Sequence, residues 1–255
     1  MCLIALAWQA HPRYPLVLVA NRDEFLDRPA APAHWWPQHP GLLAGRDLEA
    51  GGTWLAVGAS GRFAAVTNYR EGRPVPGDRS RGELPLHFVT GNDAPEAFVA
   101  GLAAQGLRYG GFNLLAGDGD SIAWCSNRKA GHQRLVPGIH TLSNHLLDTP
   151  WPKSELARLK LQKLLHGDDF GVEELFAVLA DRAPFDDHSL PVTGVGLDKE
   201  RVLSPPFIVA DGYGTRCTTV LRVDRAGRLL FAEQNFDNGE RHGPPRLFHF
   251  TVGGG

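Results

Sequence analysis

Short apolar runs separated by turn residues dominate both ends of the chain. They are CLIALAWQA and PLVLVANRDEF near the amino end, then GGTWLAVG, RFAAVTNYR, GGFNLLAG and SIAWCSNR, and finally GTRCTTVLRVD, RLLFAEQNF and RLFHFTV. Several neighbouring runs are joined by short links such as HPRY, ASG, DGD and RAG, whose residues favour tight turns. The pattern predicts antiparallel β-hairpins at both ends of the chain.

The middle of the chain carries helical spacing instead. APEAFVAGLAAQG follows Asn92 and Asp93 as candidate caps and ends at Gly106, and PWPKSELARLKLQKLLHG places its leucines largely on one side and ends at Gly167. A third and shorter helical segment is VEELFAVLADR. The order of strands, helices and strands predicts an α+β fold in which helices cover antiparallel sheets.

Composition narrows the class of protein. The chain has 255 residues, of which 43% are hydrophobic and 21% charged, with a formal charge of −2. A chain of this length can bury roughly 70 to 75% of its unfolded surface without disulfides. The balanced charge offers no basic surface for a phosphate backbone, which argues against nucleic acid as a partner. No stretch approaches the roughly 18 apolar residues of a membrane span, so no stable membrane insertion is expected.

The cysteines point to a reducing compartment. Cys2, Cys125 and Cys217 cannot all pair, and none has a spacing that suits zinc or covalently attached haem. The apolar start CLIALAW lacks a basic region before it and a cleavage site after it. We expect a cytoplasmic protein without a bound metal or other cofactor.

The first predicted hairpin brings Cys2 among charged residues. If its turn centres on residues 11–14, Cys2 lies across from Asp23 at the end of the second strand. A slip of one residue would place Arg22 or Glu24 there instead. In each register, the amino end of the chain lies beside charged side chains.

This placement makes Cys2 a candidate nucleophile. Removal of Met1 would leave Cys2 with a thiol of pKa about 8.5 and an α-amine of pKa about 7.7 to 8.0, so the amine can accept the proton of the thiol. A nearby carboxylate would orient the amine, and an arginine would favour the thiolate. The alternative is a small apolar residue at the start of an edge strand.

Three further polar residues lie at strand ends or within a strand-like run. Asn68 ends the run RFAAVTN and Asn144 ends TLSN, and each side-chain amide can donate a hydrogen bond to a developing oxyanion. Arg216 lies inside YGTRCTT, where a buried guanidinium needs a partner or a ligand anion. The alternative for both asparagines is an ordinary role in a turn.

Seven motifs together resemble those of one known family. The segments MC, ANRDE, GGTWLA, VTNYR, CSNR, LSNH and YGTRCTT occur in this order from Met1 to roughly Phe250. They resemble the NRDE family of transport and Golgi organisation proteins. That family is similar to the N-terminal nucleophile hydrolases of the choloylglycine hydrolase and penicillin V acylase branch. The resemblance implies a single domain over residues 1–255, folded as a four-layer αββα sandwich.

The same resemblance implies a site. The matching catalytic positions are Cys2, Asp23, Asn68, Asn144 and Arg216. The arginine that opens the acylase motif falls at Ala20 here, and Arg22 stands just before the aspartate instead. Because adjacent strand residues point to opposite faces, Arg22 is not expected to reach the thiol as the acylase arginine does.

Asn21, Arg22 and Glu24 form the rest of the NRDE segment and are candidate substrate-binding residues. Two functions compete for the whole site. One is an N-terminal cysteine amidohydrolase or acyl-transfer enzyme acting on a linear amide or thioester. The other is a carrier for haem or an acyl-CoA or other lipid on the same fold, because members of the resembling family are linked to haem trafficking and lipid homeostasis. The expected partner is therefore a small molecule: an acyl amide, an acyl thioester or haem.

Overall fold

The computed structural model describes residues 2–102 and 105–253, and its internal contacts divide the chain into two compact units. The first unit comprises Met1–Asp27, Arg70–Arg73 and Pro137–His249. The second comprises Arg28–Tyr69, Pro74–Val136 and Phe250–Gly255. Each unit is built on one antiparallel sheet with helices against one face.

The sheet of the first unit has the strand order β10-β1-β2-β12-β13-β14, with β11 beside β12 and β15 beside β13. Its strands are β1 (Cys2–Trp8), β2 (Leu16–Phe25), β10 (Gly138–Leu142), β11 (Val209–Ala210), β12 (Tyr213–Val223), β13 (Arg228–Asp237), β14 (Glu240–Arg241) and β15 (Arg246–Thr251). Helices α3 (Pro152–Leu164), α4 (Val172–Ala177) and α5 (Leu197–Val202) belong to the same unit.

Alternate residues of the central strands pack against these helices. Leu3 and Ala5 of β1 and Val19 of β2 lie in one buried cluster with Leu161 of α3 and Leu175 of α4. Since successive side chains of a strand face opposite ways, this cluster takes the odd-numbered residues of β1 and β2. The helical layer thus covers one face of the sheet that carries the amino end.

The second unit is a meander in which each strand pairs with the next, in the order β3-β4-β5-β6-β7-β8-β9. Its strands are β3 (Ala30–Trp35), β4 (Leu42–Asp47), β5 (Leu55–Gly58), β6 (Phe63–Asn68), β7 (Phe112–Gly117), β8 (Ile122–Ser126) and β9 (Lys129–Arg134). Helices α1 (Glu83–Thr90) and α2 (Pro95–Gly101) cover one face through Leu84, Phe88 and Val99.

The predicted α+β class with antiparallel sheets covered by helices is confirmed. The hairpins β1–β2, β5–β6, β7–β8 and β12–β13 and helix α3 form where the pattern places them. Helix α2 ends at Gly101 rather than Gly106, with Ala103 and Ala104 outside the described residues, and α4 is shorter than its pattern. Helix α1 was not predicted, since its eight residues include Pro85 and follow a glycine- and proline-rich segment. Among the residues described, no helix is long and apolar enough to cross a membrane.

Candidate active site

The register of β1 against β2 places Cys2 directly across from Arg22, not Asp23. The same register continues into the link over residues 9–15, where the Gln9 amide donates to the Pro15 carbonyl. Directly opposed residues share a face of the sheet. Arg22 therefore lies on the same face as the thiol, and the expectation that it would not reach Cys2 is wrong.

The Cys2 thiol is free and half-buried. Burial raises the pKa of this thiol above its ordinary value, the positive charges of the amino terminus and Arg22 lower it, and the charges of Asp23 and Glu24 raise it. Because a thiol is a far weaker nucleophile than a thiolate, attack by Cys2 on a carbonyl requires a proton acceptor close by. The backbone of Cys2 is fixed by the Ser143 hydroxyl, which donates to the Cys2 carbonyl at 3.3 Å.

Asp23 is buried and held by a threonine of the neighbouring strand. The Thr215 hydroxyl donates to Asp23 Oδ1 at 2.7 Å and accepts the Ile208 amide at 2.9 Å. Burial raises the pKa of the Asp23 carboxyl, while the amino terminus, Lys153, the Thr215 hydrogen bond and Arg70 lower it. Burial is the largest of these effects and leaves the pKa of Asp23 above its ordinary value.

A β-bulge in β12 at Arg216 aligns two positions at once. Thr215 pairs with Asp23 and Cys217 pairs with Arg22, so one extra residue lies between them. Arg216 is that residue, and its Nη1 donates to the Phe25 carbonyl at 2.6 Å. The bulge shifts the register of β12 against β2 by one residue, and on its far side Thr215 lies across from Asp23.

Lys153 is a buried lysine that sequence reasoning missed. It lies in the first turn of α3, and its Nζ donates to the Leu203 carbonyl at 3.2 Å. Burial, and then the Arg70 cation, lower the pKa of Lys153 to about 7, against the opposing charges of Asp23 and Cys2. The sequence signal was its position, since the positive end of the helix dipole disfavours a cation in the first turn.

Arg70 and Glu200 form a buried ion pair in the same unit. Arg70 Nη1 lies 2.5 Å from Glu200 Oε2, and the guanidinium stacks 4.8 Å from the ring centroid of Trp151. The Arg70 amide donates to the Asn144 carbonyl at 2.7 Å. Arg70 therefore links the segment after β6 to Glu200 through its side chain and to the segment after β10 through its backbone amide.

The other predicted residues have separate surroundings. Asn21 donates to the carbonyls of Leu179 and Pro206 and accepts from Thr218, which gives its side chain a structural role. Glu24 is half-exposed, and its Oε1 accepts the Phe25 amide at 3.0 Å.

Asn68 ends β6 of the second unit, where it pairs with Phe112. Cys2, Asp23, Arg22 and Asn144 thus belong to the first unit, and the role of Asn68 stays a prediction. Within the part of the chain that the structure describes, no three His, Cys, Asp or Glu side chains are grouped to hold a metal ion.

Gly72 allows two loops of this site to touch. A Cβ at Gly72 would lie 2.4 Å from the Gly194 carbonyl oxygen, closer than backbone tolerates. We expect Gly72→Ala to lower the free energy of unfolding by roughly 1–3 kcal/mol, measured by urea denaturation, because the loop bearing Thr193 must move. Gly101→Ala is the control, since a Cβ added at Gly101 would have no atom within 4 Å. Equal stability of the two variants would contradict this prediction.

The fold matches that of a solved enzyme. A C2A mutant of the conjugated bile acid hydrolase from Clostridium perfringens superposes with a TM-score of 0.50 over 99% of this chain and 98% of that one, at 6% sequence identity. At this identity the likeness shows the fold alone. It confirms the predicted fold class of the N-terminal nucleophile hydrolase type.

Curated relatives cover the chain from end to end. The human Transport and Golgi organization protein 2 homolog is 33% identical and the mouse homolog 31% identical, each over 99% of this chain and 99% of the relative. The Drosophila melanogaster Transport and Golgi organization protein 2 is 28% identical over 95% of both chains. The family model described as Transport and Golgi organisation 2 matches residues 1–238. The chain therefore belongs to the Transport and Golgi organisation 2 family.

Proposed function

We propose that this protein is an N-terminal cysteine amidohydrolase or acyl-transfer enzyme that acts on a linear amide or thioester, with Cys2 as its nucleophile. The observation that carries the proposal is the register of β1 and β2, which sets the half-buried Cys2 across from Arg22, the residue just before the buried Asp23 carboxyl. The Cys2 thiol needs an adjacent base, and the α-amine of Cys2 is that base once Met1 is removed. The protein is proposed to act in a reducing compartment such as the cytoplasm, where its three cysteines stay free.

The proposed reaction proceeds in two steps. The α-amine takes the proton of the Cys2 thiol while the sulfur bonds to the carbonyl carbon, and the carbonyl oxygen becomes an oxyanion. The ammonium then protonates the leaving amine or thiol as its bond to carbon breaks, which leaves a thioester on Cys2. Water, activated by the same amine, releases the acid, or an acceptor takes the acyl group.

Other residues receive proposed roles in this scheme. Asp23 orients the α-amine, the amides of Asn144 and Asn68 donate to the oxyanion, and Arg216 sets the charge near the thiol. Arg22, opposite the thiol, and Glu24, half-exposed at the strand end, are proposed to contact substrate. Asn21 acts on the site only through the strand it anchors.

A second candidate is a carrier for haem or an acyl group without turnover. It is supported by the names of the relatives, which concern transport and Golgi organisation, and by the raised pKa of the Cys2 thiol. A carrier would bind its ligand and release it unchanged. Haem titration would then change the absorbance spectrum, and acyl probes would be recovered intact.

The test is the intact mass of the purified protein before and after mixing with a panel of acyl amides and S-acyl thioesters. We expect loss of Met1 and an acyl-sized adduct on the wild type, no adduct on Cys2→Ala, and an unchanged adduct on Cys125→Ala, the matched control from the second unit. Retained Met1, or no adduct with every probe, would overturn the enzyme proposal.

A further inference from the structure

Asn144 lies just beyond the strand that pairs with β1, next to a residue that contacts Cys2. Strand β10 pairs with β1 so that Leu142 is across from Ile4. Asn144 follows two residues after Leu142, in the bend that ends this strand. The preceding Ser143 already donates from its hydroxyl to the Cys2 carbonyl at 3.3 Å. Asn144 itself is fully buried.

Contacts to the side-chain oxygen of Asn144 determine how its amide group is oriented. Its Oδ1 accepts a long hydrogen bond from Arg70 Nη2 at 3.5 Å and lies 3.3 Å from the Ser143 hydroxyl, whose single proton is shared between Asn144 Oδ1 and the Cys2 carbonyl. Its backbone carbonyl accepts the Arg70 amide at 2.7 Å. A side-chain amide is planar with oxygen and nitrogen at opposite corners, so donors on Oδ1 determine where the Nδ2 donors point.

Arg70 is itself held on two sides. Glu200 Oε2 accepts from Arg70 Nη1 at 2.5 Å, and the ring of Trp151 packs against the guanidinium. Glu200 Oε1 in turn accepts the Thr193 hydroxyl at 2.5 Å and the Thr193 amide at 3.2 Å. The Arg70 and Glu200 side chains are each only 3% exposed, so water does not compete for these bonds.

We propose that Arg70, held by Glu200, is a positioning residue that fixes the Asn144 amide as a hydrogen-bond donor to the acyl carbonyl at Cys2. The inference rests on the proposed function, because it assigns to Asn144 the oxyanion of that reaction. A rigid donor stabilises the developing charge without having to reorganise as the reaction proceeds. Helix α5 thereby acts on the chemistry through Glu200 without touching the substrate.

The test compares acylation of Cys2 with its simple alkylation. Acylation is followed by intact mass with the octanoyl thioester of N-acetylcysteamine, and alkylation with iodoacetamide, which forms no oxyanion. Arg70→Met combined with Glu200→Met removes both charges together, a change that buried pairs often tolerate. Arg222→Met is the control, since Arg222 also packs on an aromatic ring and bonds a carbonyl in this unit.

We expect the double methionine variant to slow acylation roughly 10- to 100-fold while alkylation stays within about threefold. Asn144→Ala should show the same loss, and adding Asn144→Ala to the methionine variant should cause no further loss. Arg222→Met should match the wild type. Additive effects, or equal slowing of acylation and alkylation, would overturn the positioning role.

A wild type that forms no adduct would refute the proposed function and leave the positioning role to a structural measurement. The side-chain amide signals of Asn144 in ¹⁵N-labelled protein, assigned through Asn144→Asp, report its orientation. A clear shift in the double methionine variant and none in Arg222→Met would support the inference. Unchanged signals in both variants would contradict it.

Discussion

Replacing Glu200 by alanine is expected to lower the free energy of unfolding by roughly 3–5 kcal/mol. The Arg70 guanidinium would keep its charge, because arginine does not lose its proton in proteins. It would remain buried without the carboxylate at 2.5 Å, and Thr193 would lose the acceptor of two hydrogen bonds. Leaving one charge of a buried pair alone costs far more than the net contribution of the intact pair.

Urea denaturation at pH 7 measures this effect. Asp187→Ala is the matched control, because Asp187 pairs with Arg201 next to Glu200 in sequence but is half-exposed, so little change is expected. Arg70→Met/Glu200→Met should recover most of the stability lost in Glu200→Ala. A Glu200→Ala variant no less stable than Asp187→Ala would show that water hydrates the guanidinium, against the burial described here.

Removing the Lys153 amine is expected to change how stability depends on pH. The folded pKa of Lys153 is about 7, while an unfolded lysine has a pKa of about 10.4. Between these values the unfolded chain binds the proton and the folded chain does not. The free energy of unfolding of the wild type therefore rises with pH in this window, by up to about 1.4 kcal/mol per pH unit, as the cost of burying the Lys153 ammonium disappears.

Below pH 7 both states are protonated, and the full cost of the buried ammonium is present. Lys153→Met lacks this titration, so we expect it to be the more stable protein near pH 7 and to lose that advantage by pH 10. The measurement is the free energy of unfolding of both proteins in urea at several values between pH 8 and 10.

The cysteine thiols act in the opposite sense over the same range. Burial raises the pKa of Cys125 to about 12, whereas an unfolded cysteine has a pKa of about 8.5. Between these values the unfolded chain loses the thiol proton and the folded chain keeps it, so stability falls as pH rises. This effect is common to wild type and variant and cancels in their difference. Lys160→Met is the control, because it removes a lysine charge from the same helix at a partly exposed position. A difference between wild type and Lys153→Met that stays constant from pH 8 to 10 would contradict the low pKa.

Much of the fold follows from local pattern. The hairpins and α3 have strong periodicity and clear turns at their ends, which act over a few residues and can be found in the sequence. The candidate nucleophile Cys2 and its neighbour Asp23 also came from the sequence, through the short link between β1 and β2. The family resemblance rested on motifs spread over the whole chain, and the full-length relatives confirm it.

Other parts of the site depend on contacts between distant segments. Arg70 was visible inside the VTNYR motif, but nothing in the sequence marks Glu200 or Lys153 as buried, since charged side chains seldom are. Only the tertiary structure removes Lys153 and Glu200 from water, and each is 2% exposed.

The register of β1 against β2 marks the boundary between the two kinds of information. The sequence by itself determined that a cysteine lies among the charged residues of NRDE, because a short link leaves few alternatives. The tertiary structure decided that Arg22 is the residue opposite Cys2, and it placed Thr215 on Asp23 through the bulge at Arg216. A shift of one residue reverses every side chain of a strand, and the long-range packing of the whole sheet selects among such shifts.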